Sequence, residues 1–575
     1  MVNSGQKTAH IVFCVALFAV ALAFRVTGAD FGLINYDERI NDSARFLTGE
    51  LIPSQHFYPP FFNYLIGIAF VGLAAFGLLT DMWSNAGEFR QAYFADATPF
   101  YLTARYLTAC IGALAAPLAY ACSRQIGLTP VSSFLVGAFS ALLPLSVYMS
   151  HIAKGDTGLA VASLAVVFAF LRRVDIGPSL RWDLALGLAA SLALSFKHSA
   201  VLVLAPMALA MIIVLARREG VWASLKSFRI SLLVILVSWP IFNVGVLLDF
   251  TRFVEFQQVQ AVMSVREEEG FGAGLPMTVS LLGDVMFGLN PLMLVFAIMA
   301  PLWLWSHSCQ LKLKDAIAGV WVGLMVATVC ISLVVGTRQP PHLFQANVTI
   351  FAVLGAIILL DMIRAYVGWA RGVVVTCAVA GIALMTVSSI SVVNQAVATP
   401  VSQDVANLLQ EKFADRKIQT SYELPVPRTI EAQRVQLDRW EGLAQKYNVT
   451  MPAFSEERKI KEDVEGALFW VPAPFVMYGL EADDVENSEF PVQPHAWPLQ
   501  PDEWVLDTWL EDGYDIFVVN GLDRMIDGLR SSHMISFYQG IEDRCEVVAY
   551  FDVRKPLFDE YDVTVFDCSM PITTG

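Results

Sequence analysis

Two short acidic stretches hold the side chains with the clearest chemical potential. The first, YDERINDSARFLTG, carries adjacent carboxylates at Asp37 and Glu38, and the second, HIAKGDTGLAV, places Asp156 two residues after Lys154. A carboxylate can deprotonate an acceptor hydroxyl. It can also hold a divalent cation, Mg²⁺ or Mn²⁺, beside a phosphate, in which case Asp37 and Asp156 are the metal ligands. A structural alternative stays open, because acids at helix starts also cap the helix or complement its dipole.

Basic side chains recur at two further turns. The stretch LSFKHSAV places Lys197 beside His198, and GTRQPPHLFQAN places Arg338 and His342 on either side of two prolines. Such groups neutralise the charge that develops on a phosphate leaving group. The structural alternative is that a lysine snorkels to lipid headgroups and an arginine anchors the end of a span. Acids for a hydroxyl and bases for a phosphate together indicate chemistry that joins a lipid-borne phosphate to a hydroxyl compound.

The composition indicates which elements must position these residues. Of the 575 residues, 56% are hydrophobic and only 16% are charged, which is too few for the surface of a soluble protein. Residues 1–393 carry 23 Lys and Arg against 20 Asp and Glu, whereas residues 394–575 carry 15 against 33. The chain is therefore predicted to be a mainly α, polytopic membrane protein with an acidic soluble domain. The acidic balance argues against nucleic acid as a partner.

Apolar runs of roughly 20 residues predict about eleven transmembrane helices. The runs lie at about 9–27, 103–123, 131–150, 157–171, 182–196, 199–216, 228–248, 278–305, 315–336, 344–361 and 372–393. The run 61–79 is predicted to be interfacial, because a twelfth span would move the arginine pairs at 172–173 and 217–218 outside. The Lys and Arg distribution then favours a cytoplasmic N-terminus and an extracytoplasmic C-terminus, as expected at a bacterial inner membrane. This orientation gathers the acids and bases on the outer face, and their clustering indicates a polar cavity.

The first external loop, residues 28–102, is predicted to contain interfacial helices. Ile40 and Leu47 belong to an apolar stripe at helical spacing, opposite Asp42 and Ser43. This pattern is typical of a helix that lies flat on the membrane with its polar side chains outward.

Residues 394–575 change to the pattern of a soluble α/β domain. QDVANLLQEKFA repeats apolar residues at helical spacing, and VLDTWLEDGYDIFVVNG indicates a helix, a turn and a buried strand. CEVVAYF and DVTVFDC alternate like two strands of an antiparallel hairpin, in which the first residue of one faces the last residue of the other. A disulfide between Cys545 and Cys568 is therefore predicted, and it requires an oxidising compartment.

Several stretches together resemble the glycosyltransferase C (GT-C) superfamily, particularly the branch with the protein O-mannosyltransferases and the lipid A aminoarabinose transferases. An acidic pair precedes FYPPFFNYL by about twenty residues, and ARYLTACIGALAAPLAYACSRQIG is similar to the family's second span. PLSVYMSHIAKGDTGLAVASLAVVFAFLRR and LALSFKHSAVLVLAPMAL resemble two later turns of the family. The matching functional positions are Asp37, Glu38, Tyr58, Arg105, Asp156 and Lys197. The resemblance covers roughly residues 10–250 and extends loosely to the later spans.

The resemblance implies a GT-C-like transmembrane catalytic domain in residues 1–393 and an extracytoplasmic extension in residues 394–575. It implies an inverting enzyme that moves one hexose or pentose from a polyprenyl-phosphate donor to a glycan, lipid or protein acceptor on the outer side. Asp37 would be the base, Glu38 would complete the catalytic pair, and Asp156 would shape the donor or metal site. Contacts to the donor phosphate and lipid would come from Lys154, Lys197, His198, Arg338, His342, Tyr58 and Arg105.

The chain departs from the family pattern at three places. Lys154 and Gly155 precede the second acid where many relatives have Arg and Pro, and Tyr58 stands where many have Lys. The tail carries no WWDYG signature, which argues against an oligosaccharyltransferase.

The alternative function is a polytopic transporter or flippase of lipid-linked or small polar substrates. Such a protein usually shows two similar halves with charges near the bilayer midplane. Here the charges gather at one face, which favours the enzyme.

Overall fold

The computed structural model describes a chain of two compact units. The residues described are 4–32, 38–54, 56–264, 272–284, 286–335, 339–421, 424, 426, 430–448, 470–472, 500–523 and 532–569. The first unit, here the membrane unit, comprises Met1–Asp30, Asn35–Trp83 and Thr98–Val397. The second, here the C-terminal unit, comprises Phe31–Ile34, Ser84–Ala97 and Ala398–Gly575.

Helices dominate the described part of the chain. In order they are α1 (Ser4–Val26), α2 (Ile40–Phe46), α3 (Phe61–Leu79), α4 (Ala86–Ala95), α5 (Thr98–Ala113), α6 (Ala115–Gln125), α7 (Pro130–Ala141), α8 (Pro144–Ser150), α9 (Asp156–Ile176), α10 (Leu180–Phe196), α11 (Ala200–Glu219), α12 (Val221–Phe242), α13 (Val244–Leu248), α14 (Phe250–Ser264), α15 (Leu275–Gly283), α16 (Pro291–Ile298), α17 (Ala300–Trp305), α18 (Lys314–Val334), α19 (Gln345–Ala365), α20 (Gly368–Val397), α21 (Val401–Lys412), α22 (Ile430–Lys446), α23 (Leu506–Glu511) and α24 (Ser532–Arg544). Short 3₁₀ turns occupy Pro341–Phe344, Pro501–Trp504 and Pro556–Phe558. The strands are β1 (Lys417–Thr420), β2 (Trp470–Pro472), β3 (Tyr514–Asn520), β4 (Glu546–Phe551) and β5 (Val563–Asp567).

The chain is an integral membrane protein. Eight helical stretches in its described part are long and apolar enough to cross a membrane, and α7 with α8, bent by 54°, would make a ninth. Helix α3 is among the eight, so its interfacial placement stays a prediction, as does the count of about eleven spans. The predicted single run 278–305 is instead divided into α15, α16 and α17. Asn290 has a positive φ of 56° and caps α16, which explains the second start.

Helix α19 forms the core of the membrane unit. Of its 21 residues, 18 are buried, and it packs against α7, α9 and α16. Helices α11 and α18 approach closely where Gly323 faces Met207, because a Cβ on Gly323 would lie only 2.7 Å from the Met207 Cα. Small residues at such crossings allow helix backbones to pack tightly within a membrane.

Two local predictions have different outcomes. The run 182–216 was predicted to turn at FKHS, and α10 indeed ends at Phe196 before α11 begins at Ala200. The prediction that α2 turns Asp42 and Ser43 outward is wrong, because both are buried. The reason is packing against α3, together with a hydrogen bond from the Ser54 backbone N–H to Asp42 Oδ1 at 2.9 Å.

The C-terminal unit contains a five-stranded mixed sheet in the order β2-β1-β3-β5-β4. Strands β1 and β3 are parallel, whereas β5 is antiparallel to both β3 and β4. Side chains of β3 alternate between two cores, one with α24 that contains Phe517 and one with α21 that contains Val518. The predicted closing hairpin is confirmed, and Cys545 and Cys568 form a disulfide with a Cα–Cα distance of 4.3 Å.

Candidate active site

Asp156 and Lys197 form a buried ion pair where α9 begins and α10 ends. Lys197 Nζ donates to Asp156 Oδ1 at 2.5 Å, and Asp156 is only 1% exposed. The N-cap residue of α9 is Gly155, so the alternative in which Asp156 caps this helix is wrong. Gly155 permits the close approach of the two turns, because a Cβ there would lie 2.4 Å from the Phe196 carbonyl oxygen. Among the described residues, Asp156 Oδ2 has no hydrogen-bond partner.

Cationic groups from separate segments surround the ring of Tyr58. The ammonium nitrogens of Lys154 and Lys197 each lie 5.7 Å from the ring centroid, and Arg39 Cζ lies 5.4 Å from it. Lys154 Nζ is also 3.3 Å from His342 Nε2. Because an ammonium can only donate, His342 accepts this hydrogen bond through its unprotonated Nε2. We call these five side chains the basic cluster.

A cavity of about 290 Å³ adjoins this cluster. Its lining consists of Arg39, Tyr58, Pro59, Phe62, Asn63, Ala153, Lys154, Gly155 and Phe196. Both charged residues of the lining, Arg39 and Lys154, are basic. A concave space with cationic walls and aromatic neighbours suits an anionic group attached to an apolar molecule.

Glu38 and Arg105 form a second buried ion pair. Arg105 Nε donates to Glu38 Oε1 at 2.8 Å, and Arg105 Nη2 donates to Oε2 at 2.6 Å. Glu38 Oε1 also accepts the Ala153 backbone N–H at 2.7 Å, while Arg105 Nη1 donates to the Ala29 carbonyl at 2.9 Å. Glu38 therefore links the first loop to the segment that carries Lys154. This arrangement favours a positioning role for Glu38 and Arg105 over the predicted catalytic and donor-binding roles.

His198 lies in an aromatic environment beside the basic cluster. Its ring centroid is 5.0 Å from that of Phe253 and 6.3 Å from that of Trp239. Its Nε2 is buried without a hydrogen-bond partner in the part of the chain that the structure describes. The predicted contact between His198 and a donor phosphate stays a prediction.

Asp37 and Arg338 lie outside the described residues, so their predicted roles stay predictions. No group of three or more His, Cys, Asp or Glu side chains suited to a metal ion occurs within the described ranges. The surroundings of Asp156 do not fit a divalent cation, because Lys197 occupies one carboxylate oxygen and the charges of Lys154 and His342 act on the same group. The predicted Asp37–Asp156 metal site is therefore not used below.

Sequence reasoning missed two residues of the cavity. Arg39 directly follows the acidic pair and was assigned to a solvent-facing helix surface, whereas it lies over the rings of Phe57 and Tyr58. Asn63 is a lone polar residue in the apolar run FFNYLIG. A polar side chain in such a run is the signal that could have identified it.

The comparisons with known proteins agree with this geometry. Residues 44–257 match the model of a family described as dolichyl-phosphate-mannose-protein mannosyltransferase. That stretch is less than half of the chain, but it contains Tyr58, Arg105, Asp156 and Lys197. No match was found among curated proteins.

Solved structures show the fold. The crystal structure of ArnT from Cupriavidus metallidurans in the apo state covers 98% of both chains at 13% identity, with a TM-score of 0.50. The same protein bound to undecaprenyl phosphate is 14% identical over 98% of both chains, with a TM-score of 0.46. The oligosaccharyltransferase of Archaeoglobus fulgidus in the apo form is 13% identical and covers 94% of this chain and 73% of that chain, with a TM-score of 0.45.

These findings confirm the predicted fold class and the predicted resemblance. The chain is a mainly helical membrane protein with a GT-C-like fold and a small C-terminal α/β region. Its resemblance is to the GT-C glycosyltransferases, in the branch that includes the protein mannosyltransferases and ArnT.

Proposed function

We propose that this protein is a membrane glycosyltransferase that takes a single sugar from a polyprenyl-phosphate donor. The acceptor is a glycan, lipid or protein on the extracytoplasmic face of the membrane, and the transfer inverts the anomeric centre. The observation that carries the proposal is the basic cluster, in which Arg39, Lys154 and Lys197 from three segments converge on one aromatic ring. The protein mannosyltransferase family and the undecaprenyl-phosphate complex of ArnT support the choice of donor.

The basic cluster supplies what the leaving group needs. When the bond between the anomeric carbon and the phosphate oxygen breaks, that oxygen keeps the electron pair and gains negative charge. Preorganised cations in a low-dielectric site stabilise such charge more than water does. Lys154 and Arg39 line the cavity, so they are placed to contact the phosphate. Lys197 supports them from the Asp156 ion pair.

Asp37 is proposed as the base that activates the acceptor. Glu38 is held by Arg105, and Asp156 is held by Lys197, so each of these acids already has a cationic partner. A carboxylate that is paired in this way is a weak proton acceptor. Asp37 would take the proton of the acceptor hydroxyl while its oxygen attacks the anomeric carbon opposite the phosphate. One displacement of this kind inverts the configuration.

The test is transfer by purified protein in lipid nanodiscs, given a panel of polyprenyl-phosphate sugars and a membrane and periplasmic extract as acceptor source. Release of polyprenyl phosphate is the readout. Asp37→Asn should lower the rate by roughly 10²- to 10⁴-fold, because general base catalysis contributes about that much. Asp81→Asn is the matched control, since Asp81 is an exposed acid in the same loop.

The control should keep the wild-type rate within about twofold, because exposed polar substitutions seldom disturb a distant site. Full activity of Asp37→Asn would contradict the base assignment. Movement of the intact donor between leaflets, without release of polyprenyl phosphate from any donor, would favour the transporter alternative.

A further inference from the structure

The C-terminal unit buries a lysine against the segment that follows α1. Lys555 is only 1% exposed, and its Nζ donates to the Phe31 carbonyl oxygen at 2.7 Å. Lysine is almost never fully buried, because removing its ammonium from water costs free energy unless the group is hydrogen-bonded. The burial of Lys555 at this carbonyl therefore indicates a specific task rather than surface packing.

Phe31 is the other half of the contact. Its side chain is 1% exposed, and its ring centroid lies 4.6 Å from that of Phe558. The next residue, Gly32, has a φ of +72°, and a Cβ there would lie 2.8 Å from Pro400. This position requires glycine, both for the backbone conformation and for the close approach. Two consecutive residues are thus fitted into the C-terminal unit.

The loop that presents Lys555 is itself fixed. Glu560 accepts the backbone N–H groups of Arg554 and Lys555 at 2.8 Å and that of Val401 at 2.7 Å. Three such bonds to one carboxylate hold the loop to the start of α21. Lys555 therefore contacts Phe31 from a rigid base.

The acidic pair follows Phe31 within seven residues. A chain extends at most about 3.6 Å per residue, so a displacement of Phe31 is transmitted to this short segment. Within the membrane unit, Arg105 binds the Ala29 carbonyl on one side of Phe31 and the Glu38 carboxylate on the other. The segment is consequently held at Ala29, Phe31 and Glu38.

We propose that Lys555 and Phe31 are positioning residues, through which the C-terminal unit sets the placement of the first-loop acids for catalysis. The C-terminal unit also includes Ser84–Ala97, from the far end of the same loop, so it holds both ends of the loop. The unit is thereby an integral part of the catalytic assembly and not a separate appended domain. The kinetic part of this inference rests on the proposed glycosyl transfer.

The test compares Lys555→Met with Arg554→Met in the full-length protein. Arg554 is the neighbouring residue and makes an exposed ion pair with Asp404, so it controls for general effects on the same loop. Lys555→Met should lower kcat about 10-fold or more while the KM for the donor stays within about twofold, because small misplacements of reacting groups mainly affect the chemical step. Hydrogen exchange of the backbone amides in residues 31–38 should also accelerate.

Phe31→Leu is the second variant, because it keeps an apolar side chain and removes only the ring packed on Phe558. It should produce a smaller fall in kcat in the same direction, and it replaces Lys555→Met if that protein does not fold. Wild-type kcat and unchanged exchange in the folded variants would overturn the proposal. If the wild-type protein transfers no sugar, the proposed function fails, whereas the exchange measurement still decides whether Lys555 holds the first-loop segment.

Discussion

Two buried ion pairs, Glu38–Arg105 and Asp156–Lys197, lie close together in the chain's proposed site but differ in how completely they are satisfied. Both oxygens of Glu38 accept hydrogen bonds, two from the Arg105 guanidinium and one from the Ala153 backbone. Asp156 has one oxygen on Lys197 and one buried oxygen without a partner among the described residues. The Glu38–Arg105 pair therefore has the character of a structural clamp, whereas the Asp156–Lys197 pair keeps polar capacity for another group.

The difference follows from the geometry of the two cations. A guanidinium presents a planar fork that matches a carboxylate, so arginine fixes orientation as well as charge. Lysine carries a compact charge on a flexible stem, and it can share that charge with a neighbouring ring or an incoming anion. The arginine pair thus suits the joining of two segments. The lysine pair suits a place where the charge distribution must change when a ligand binds.

The largest expected effect is on stability and concerns Arg105. Arg105→Met leaves the Glu38 carboxylate buried without its partner, which should lower the free energy of unfolding by about 3–5 kcal/mol. The control is Arg45→Met, which removes the exposed Arg45–Glu50 pair and should cost about 0–1 kcal/mol. Denaturant titration in detergent micelles measures both. Equal losses for the two variants would contradict the clamp.

A smaller effect is expected at the second pair. Lys197→Met leaves Asp156 buried and unpaired and should be destabilising, while the double variant Asp156→Asn/Lys197→Met should recover part of the loss. The coupling free energy from the double-mutant cycle should be about 0.5–3 kcal/mol. The same titration measures it. Strict additivity of the two single substitutions would mean that the pair is not formed in the protein.

Local sequence patterns predicted much of this architecture. The turn at Lys197, the hairpin with Cys545 and Cys568, and the helix of QDVANLLQEKFA all depend on spacing within one segment. Such patterns are local because side-chain periodicity is set by the helix or strand itself. The acid at 156 and the lysine at 197 were also identified before the structure showed them as one pair.

The remaining features depend on packing between distant segments. The Glu38–Arg105 contact joins residues 67 positions apart, and no local period specifies it. Asp42 faces the protein because α2 packs on α3, although its helical spacing predicted the opposite face. The run 278–305 was long enough for one span, but the Asn290–Pro291 start of α16 divides it. Apolar length alone does not register such interruptions.

The central claim is that the basic cluster binds the phosphate of a polyprenyl donor. Its most direct test is the dissociation constant of a polyprenyl phosphate that carries no sugar, measured for protein in nanodiscs. The wild-type protein is compared with folded Asp156→Asn/Lys197→Met, in which no charge of the pair remains unpaired, and with Arg45→Met as control. The account predicts binding at least about 10-fold weaker in the double variant, equivalent to about 1.4 kcal/mol, and unchanged in the control. Equal dissociation constants for the wild-type protein and the double variant would contradict it.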